Sequence, residues 1–115
     1  MERRRHRRYP FKGIIYFGND ASGTVIEIGH DSFKCLVDKE QEIGKDYIAA
    51  IKTPYDEYPY VSFWSVVVRV VKIGNSFEVS ALLNRDKTDI NSVIVYSKLV
   101  DLVVFYREGI IYEKF

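Results

Sequence analysis

Val61-Ser62-Phe63-Trp64-Ser65-Val66-Val67-Val68-Arg69-Val70-Val71-Lys72-Ile73, then Gly74-Asn75, then Phe77-Glu78-Val79-Ser80-Ala81-Leu82-Leu83, is the stretch that sets the fold class. The first run is rich in β-branched residues and reads as one long strand. It exceeds an average strand, so a bulge is expected within it. Gly74-Asn75 supplies the turn, and Phe77 to Leu83 pairs back with Phe77, Val79 and Ala81 on one face.

The same grammar extends toward the N-terminus. Residues 9–17, Tyr-Pro-Phe-Lys-Gly-Ile-Ile-Tyr-Phe, read as a first strand. Gly18 to Gly23 is dense in turn formers, and Thr24 to Ile28 is a second strand. Gly29-His30-Asp31-Ser32 makes a tight connection to Phe33–Val37, a third strand with Phe33, Cys35 and Val37 on one face. Asp38 to Lys45 is a charged loop, Tyr47 to Thr53 a fourth strand, and Pro54 to Pro59 a tyrosine-bearing loop. Short strands joined by short turns predict an all-β-dominated protein: a small six- to seven-stranded antiparallel β-barrel.

The C-terminal quarter changes character. Asp89 is placed to cap a helix whose Ile90, Val93, Ile94 and Ser97 follow helical spacing. Residues 99–106 read equally well as helix or strand, and Arg107-Glu108-Gly109 could turn a terminal hairpin returning through Ile110 to Tyr112. The domain reading is an arginine-rich flexible arm over 1–8, a barrel with its closing helix over 9–98, and a C-terminal extension over 99–115.

At 115 residues and 47% hydrophobic, the chain can fill one core. Its formal net charge is only +1, yet Arg3, Arg4, Arg5, Arg7 and Arg8 fall together in the first eight residues. Electrostatic recognition must therefore be local, which argues against a surface that binds duplex DNA throughout. The single cysteine, Cys35, excludes an intramolecular disulfide and a cysteine-rich zinc site, and two distant histidines make a metal centre unexpected. No apolar run follows the basic N-terminus and no stretch spans a bilayer, so a cytoplasmic location is expected.

Arg4-Arg5-His6-Arg7-Arg8 followed by Tyr9-Pro10-Phe11 resembles the opening of PilZ domains, a bacterial family of cyclic di-GMP receptors. That family carries Arg-x-x-x-Arg just before its first strand. The proline after Arg8 favours Arg4/Arg8 as the register, with Arg3/Arg7 the second. The family's next motif, Asp/Asn-x-Ser-x-x-Gly, falls on Glu27, Gly29 and Ser32, and all three positions depart from it. Asp20-Ala21-Ser22 matches the first half of that motif, but Val25 stands at its glycine and the segment precedes the strand. Val66 to Val70, Phe77 to Leu83 and Asp89 to Tyr96 resemble the long strand, final strand and closing helix, so the resemblance covers roughly residues 2–98 (by-eye topology).

The resemblance implies a non-enzymatic receptor or adaptor for signal transduction, with no cofactor. Cyclic di-GMP is its ligand, and a protein partner reads the changed surface. Arg4 and Arg8 would fork onto phosphate and guanine edges, with Arg3, Arg5 and Arg7 as a local field. Glu27 would accept from guanine N–H groups one methylene further out than aspartate. Gly29 lacks the serine hydroxyl, and Ser32 puts a side chain where glycine would permit positive φ, so strain is expected there. Two other functions compete. One is a PilZ-like interaction module that has lost the ligand, because Glu27, Gly29 and Ser32 are altered. The other is a small barrel that binds RNA or DNA through its arginines and aromatics.

Simple structural roles also stand beside these. Glu27 can pair with an arginine of the arm and pin it without any ligand. His30 reads as an exposed loop residue, Cys35 as a packed apolar side chain, and Trp64 as barrel packing. Tyr55, Tyr58 and Tyr60 read first as a cover for the barrel end and second as a partner surface. No catalytic constellation is visible, so no enzyme is expected.

Overall fold

A computed structural model describes residues 7–18 and 20–107. Arg3, Arg4, Arg5 and the proposed hairpin return at Ile110 to Tyr112 lie outside the described residues. Six strands form: β1 Arg8–Phe17, β2 Ser22–Gly29, β3 Ser32–Val37, β4 Asp46–Lys52, β5 Tyr60–Ile73 and β6 Ser76–Leu83. All neighbours are antiparallel, and the sheet closes on itself in the order β1-β2-β3-β6-β5-β4. Closure removes most of the strand edges that a small open sheet would expose.

The alternation seen in sequence becomes an inside and an outside. Phe33, Cys35 and Val37 are buried, and they face Ala81, Val79 and Phe77 across the β3–β6 ladder. Ile15, Phe17, Val25, Ala49, Ile51, Phe63 and Val67 complete the interior. The β5–β6 turn is tight because Gly74 takes φ +61, where a side chain would be strained. The expected bulge sits at Val68, where pairing steps from Val67↔Ala81 to Arg69↔Ser80. A second irregularity leaves Phe11 and Lys12 out of the β1–β2 register, and Ile26 is skipped between β2 and β3.

One helix, α1 Ile90–Arg107, closes the molecule. The Asp89 carboxylate accepts from the Ser92 N–H at 2.8 Å and from the Ser92 hydroxyl at 3.1 Å. These bonds favour the ionised form and hold the carboxyl below its ordinary range. Residues 99–107 continue this helix, so the residues left open between helix and strand are helical. The reason is tertiary: Tyr96, Leu99, Val100 and Val103 recur at helical spacing and are all buried, whatever the local β preference of the valines.

Trp64 packs on the barrel from its outer side. Its neighbours Phe63 and Ser65 point inward, so Trp64 points out, and the Lys87 ammonium lies 4.2 Å from its ring centroid. It packs on the outside of the barrel and not in the core. Tyr55 does cover a barrel end. It lies 6.1 Å from the Phe11 ring and stacks on Tyr106 at 5.2 Å, with the planes only 8° apart. Tyr58 packs partly against the core, while Tyr60 is exposed.

Candidate functional site

The site assembles where the chain enters β1. Arg8 is the first residue of that strand and pairs with Gly29, the last of β2, while Pro10 pairs with Glu27. Directly opposed residues share a face, so Arg8 and Glu27 are diagonal neighbours. Their side chains meet at 3.6 Å between Nε and Oε1. The Arg8 side chain is only 9% exposed, against 34% for Glu27. At that separation the contact is an ion pair without a hydrogen bond, and Arg8 Nε is a buried donor with no hydrogen-bond acceptor.

Gly29 explains how closely these segments approach. A Cβ at this position would lie 2.8 Å from the Arg7 carbonyl oxygen and 3.0 Å from Arg8 Cγ. No side chain fits there while the arginine segment keeps its place. The residue that sequence comparison reads as a lost serine hydroxyl is therefore also the packing surface for the arm. Arg7 itself is exposed and sets its guanidinium 5.2 Å from the Tyr9 ring centroid.

The β2–β3 turn is gripped from several directions. The buried Tyr96 hydroxyl of α1 donates to the Gly29 carbonyl at 2.7 Å, with the Ser32 carbonyl at 3.3 Å. Burial, and then the negative charge of Asp31, push the Tyr96 phenol well above its ordinary range, so it remains a neutral donor. Arg85 donates to the His30 carbonyl at 3.1 Å. His30 Nε2 and Asp101 Oδ1 lie 2.7 Å apart, tying the turn to α1. His30 is thus a partly covered tether between the turn and α1, where its position in a turn suggested an exposed loop residue.

Ser32 also differs from expectation. It is the first residue of β3 and lies on buried, extended backbone; among non-glycine described residues only Asp20 has positive φ. Placing the residue in a strand removes the strain expected of a turn glycine's replacement. Its Oγ is buried without a hydrogen-bond partner. The fold thus brings Arg7, Arg8, Glu27, Gly29 and Ser32 to one end of the barrel. Sequence reasoning missed Tyr96, Arg85 and Asp101, which come from distant segments and carry no motif. Among the described residues, no group of three or more His, Cys, Asp or Glu side chains could hold a metal ion. None of their helices is long and apolar enough to cross a membrane.

Two solved structures share this architecture. The inhibitor of motility MotI/DgrA of Bacillus subtilis superposes with a TM-score of 0.74 at 10% identity, covering 95% of this chain and 53% of that one. YcgR of Escherichia coli, solved in complex with c-di-GMP, gives 0.67 at 11% identity over 98% of this chain and 49% of that one. The chain has a PilZ-like fold. It spans about half the length of either of these proteins. No protein-family model and no curated relative matches the sequence. At such identities the PilZ-like fold is common to all three, while the residues around the Arg8 entry are this chain's own.

Proposed function

We propose that the chain is a non-enzymatic cyclic di-GMP receptor or adaptor, in which the arginine segment clamps the ligand against the β2–β3 turn and so alters a protein-binding surface. The observation that carries this reading is the junction of Arg8 with Glu27 and Gly29 at the barrel end. A guanidinium can fork onto phosphate or a guanine edge and stack on its face, and Arg8 is held there with a donor unspent. Arg7 stands beside it, and Arg3, Arg4 and Arg5 precede it in the chain. Glu27 lies within reach of the same space as an acceptor. YcgR, with the same fold, was solved with c-di-GMP bound.

Isothermal calorimetry with cyclic di-GMP tests this. Saturable heat in the micromolar range is expected, lost in the Arg4→Ala/Arg8→Ala double variant. Absence of heat with folded wild-type protein at high micromolar ligand removes the small-molecule reading.

One observation favours a second reading, the interaction module without ligand. Glu27 already neutralises Arg8, so Arg8 is held on the barrel without any ligand. That reading expects Arg4→Ala/Arg8→Ala to leave partner binding intact.

A further inference from the structure

Arg8 is not the only guanidinium at the β2–β3 turn. It comes to the turn from the β1 side, where it pairs with Gly29. Arg85 comes to the next residue from the β6 side and donates from Nη2 to the His30 carbonyl at 3.1 Å. Nothing in the sequence links the two arginines. The barrel joins them because β2 neighbours β1 while β3 neighbours β6, and one turn connects β2 to β3.

The fold aims Arg85 at this place. Beyond the Ser32↔Leu82 pair, the Leu83 N–H donates to the Asp31 carbonyl at 2.9 Å, so β6 ends against the turn. Asn84 then fixes the loop that carries Arg85. Its N–H donates to the Trp64 carbonyl at 2.9 Å and its side-chain amide to Asp46 Oδ1 at 3.1 Å. Its carbonyl accepts the Thr88 hydroxyl at 2.7 Å and the Thr88 N–H at 3.1 Å. A side chain on a loop held this way gives up little freedom when it binds.

The charge of Arg85 is not spent within the protein. Glu27 faces Arg8, and Asp101 faces His30. Asp31, on the same turn, is the carboxylate that a purely structural Arg85 would neutralise. No ion pair forms between them, and Arg85 makes none with any other described residue. It is exposed, and after one bond to a neutral carbonyl its fork still has donors to offer. Tyr96 places the two arginines in one neighbourhood. Burial raises its phenol most and the Asp31 charge raises it further, while the charges of Arg85 and then Arg8 both pull it back.

We infer that Arg85 is a further ligand-binding residue, holding one phosphate of cyclic di-GMP from the β6 side of the turn while Arg8 and the arginine segment hold the ligand from the β1 side. This rests on the receptor reading above and extends it to a segment that carries no motif. A cyclic dinucleotide bears a phosphate on each side of its ring, and a guanidinium on each flank of the turn answers that charge pattern. The ligand would then bridge β1 and the β6–α1 loop, which the arginine segment alone does not do.

Calorimetry on wild type, Arg85→Ala and Arg85→Gln tests the assignment. Glutamine keeps a donor for the His30 carbonyl and loses the charge and the fork. Both variants are expected to keep a urea midpoint near wild type, because the residue is exposed. Both are expected to bind cyclic di-GMP roughly tenfold to a hundredfold more weakly. In the wild-type protein, the side-chain Nε–H resonance that Arg85→Lys removes is expected to shift saturably with ligand. Wild-type binding matched by Arg85→Gln, or a resonance that stays still while the ligand binds, removes Arg85 from the site and leaves the receptor reading standing. Absence of heat with folded wild-type protein removes both.

Discussion

Gly29→Ser puts the motif serine back where PilZ domains carry it, and the structure expects harm from it. The new Cβ would sit 2.8 Å from the Arg7 carbonyl oxygen and 3.0 Å from Arg8 Cγ. The first of these is backbone, so the arginine segment must move as a unit. Moving it breaks the Arg8↔Gly29 pairing and draws Arg8 from Glu27. Overpacking of this kind costs about 1–3 kcal/mol. With a urea slope of about 1–3 kcal/mol/M, a loss near the middle lowers the unfolding midpoint by roughly 1 M. Gly18→Ala is the control, because a Cβ there meets only Ile48 atoms at 3.8–3.9 Å and φ is not positive; it is expected to hold or raise the midpoint. Urea titration gives the stability; under the proposed function, the affinity for cyclic di-GMP read by calorimetry also falls, because Arg7 and Arg8 are displaced. A Gly29→Ser protein as stable as wild type, or one that binds cyclic di-GMP more tightly, refutes the packing account.

Tyr96→Phe removes the donor to the Gly29 carbonyl and is expected to cost about 1–2 kcal/mol in urea unfolding, since the acceptor is left without its buried partner; an unchanged midpoint counts against that bond. Burial pushes the Cys35 thiol from 9.0 up to about 12, so a thiol reagent at pH 8 reacts only as fast as the barrel opens. Because the folded value is raised, this contribution to stability is complete below pH 9.0 and is lost as pH rises toward about 12, which alkaline unfolding curves check. Lys87→Met removes the charge over Trp64, the chain's only tryptophan, and shifts its fluorescence with a loss of about 0.5–1 kcal/mol; an unchanged emission spectrum contradicts the contact.

Strand positions were legible because alternation in a half-buried strand is a local signal. Val61–Ile73 with its bulge, the turn at Gly74-Asn75 and the buried face of Phe33, Cys35 and Val37 all follow from it. Of the candidate site, the arginine segment and the Glu27–Ser32 stretch were visible as charge and motif. Their meeting was not, because it depends on β1 and β2 pairing in one particular register. The contact of Trp64 with Lys87 was not legible for a related reason: parity puts the ring outside, and the ammonium that covers it comes from a distant loop.

The sequence by itself determined the class of fold, the polarity of its strands and the presence of a concentrated basic segment, since each is encoded by neighbours in the chain. Only the tertiary structure decided the role of individual residues. It made residues 99–107 helix, because Leu99, Val100 and Val103 find the core only at helical spacing. It turned Gly29 from a missing hydroxyl into the space that Arg7 and Arg8 occupy. It also left the β4 side of the far end of β5 uncovered while β6 pairs with the other side, because β4 starts too late to reach it, and that difference in strand length exists only when the strands lie side by side.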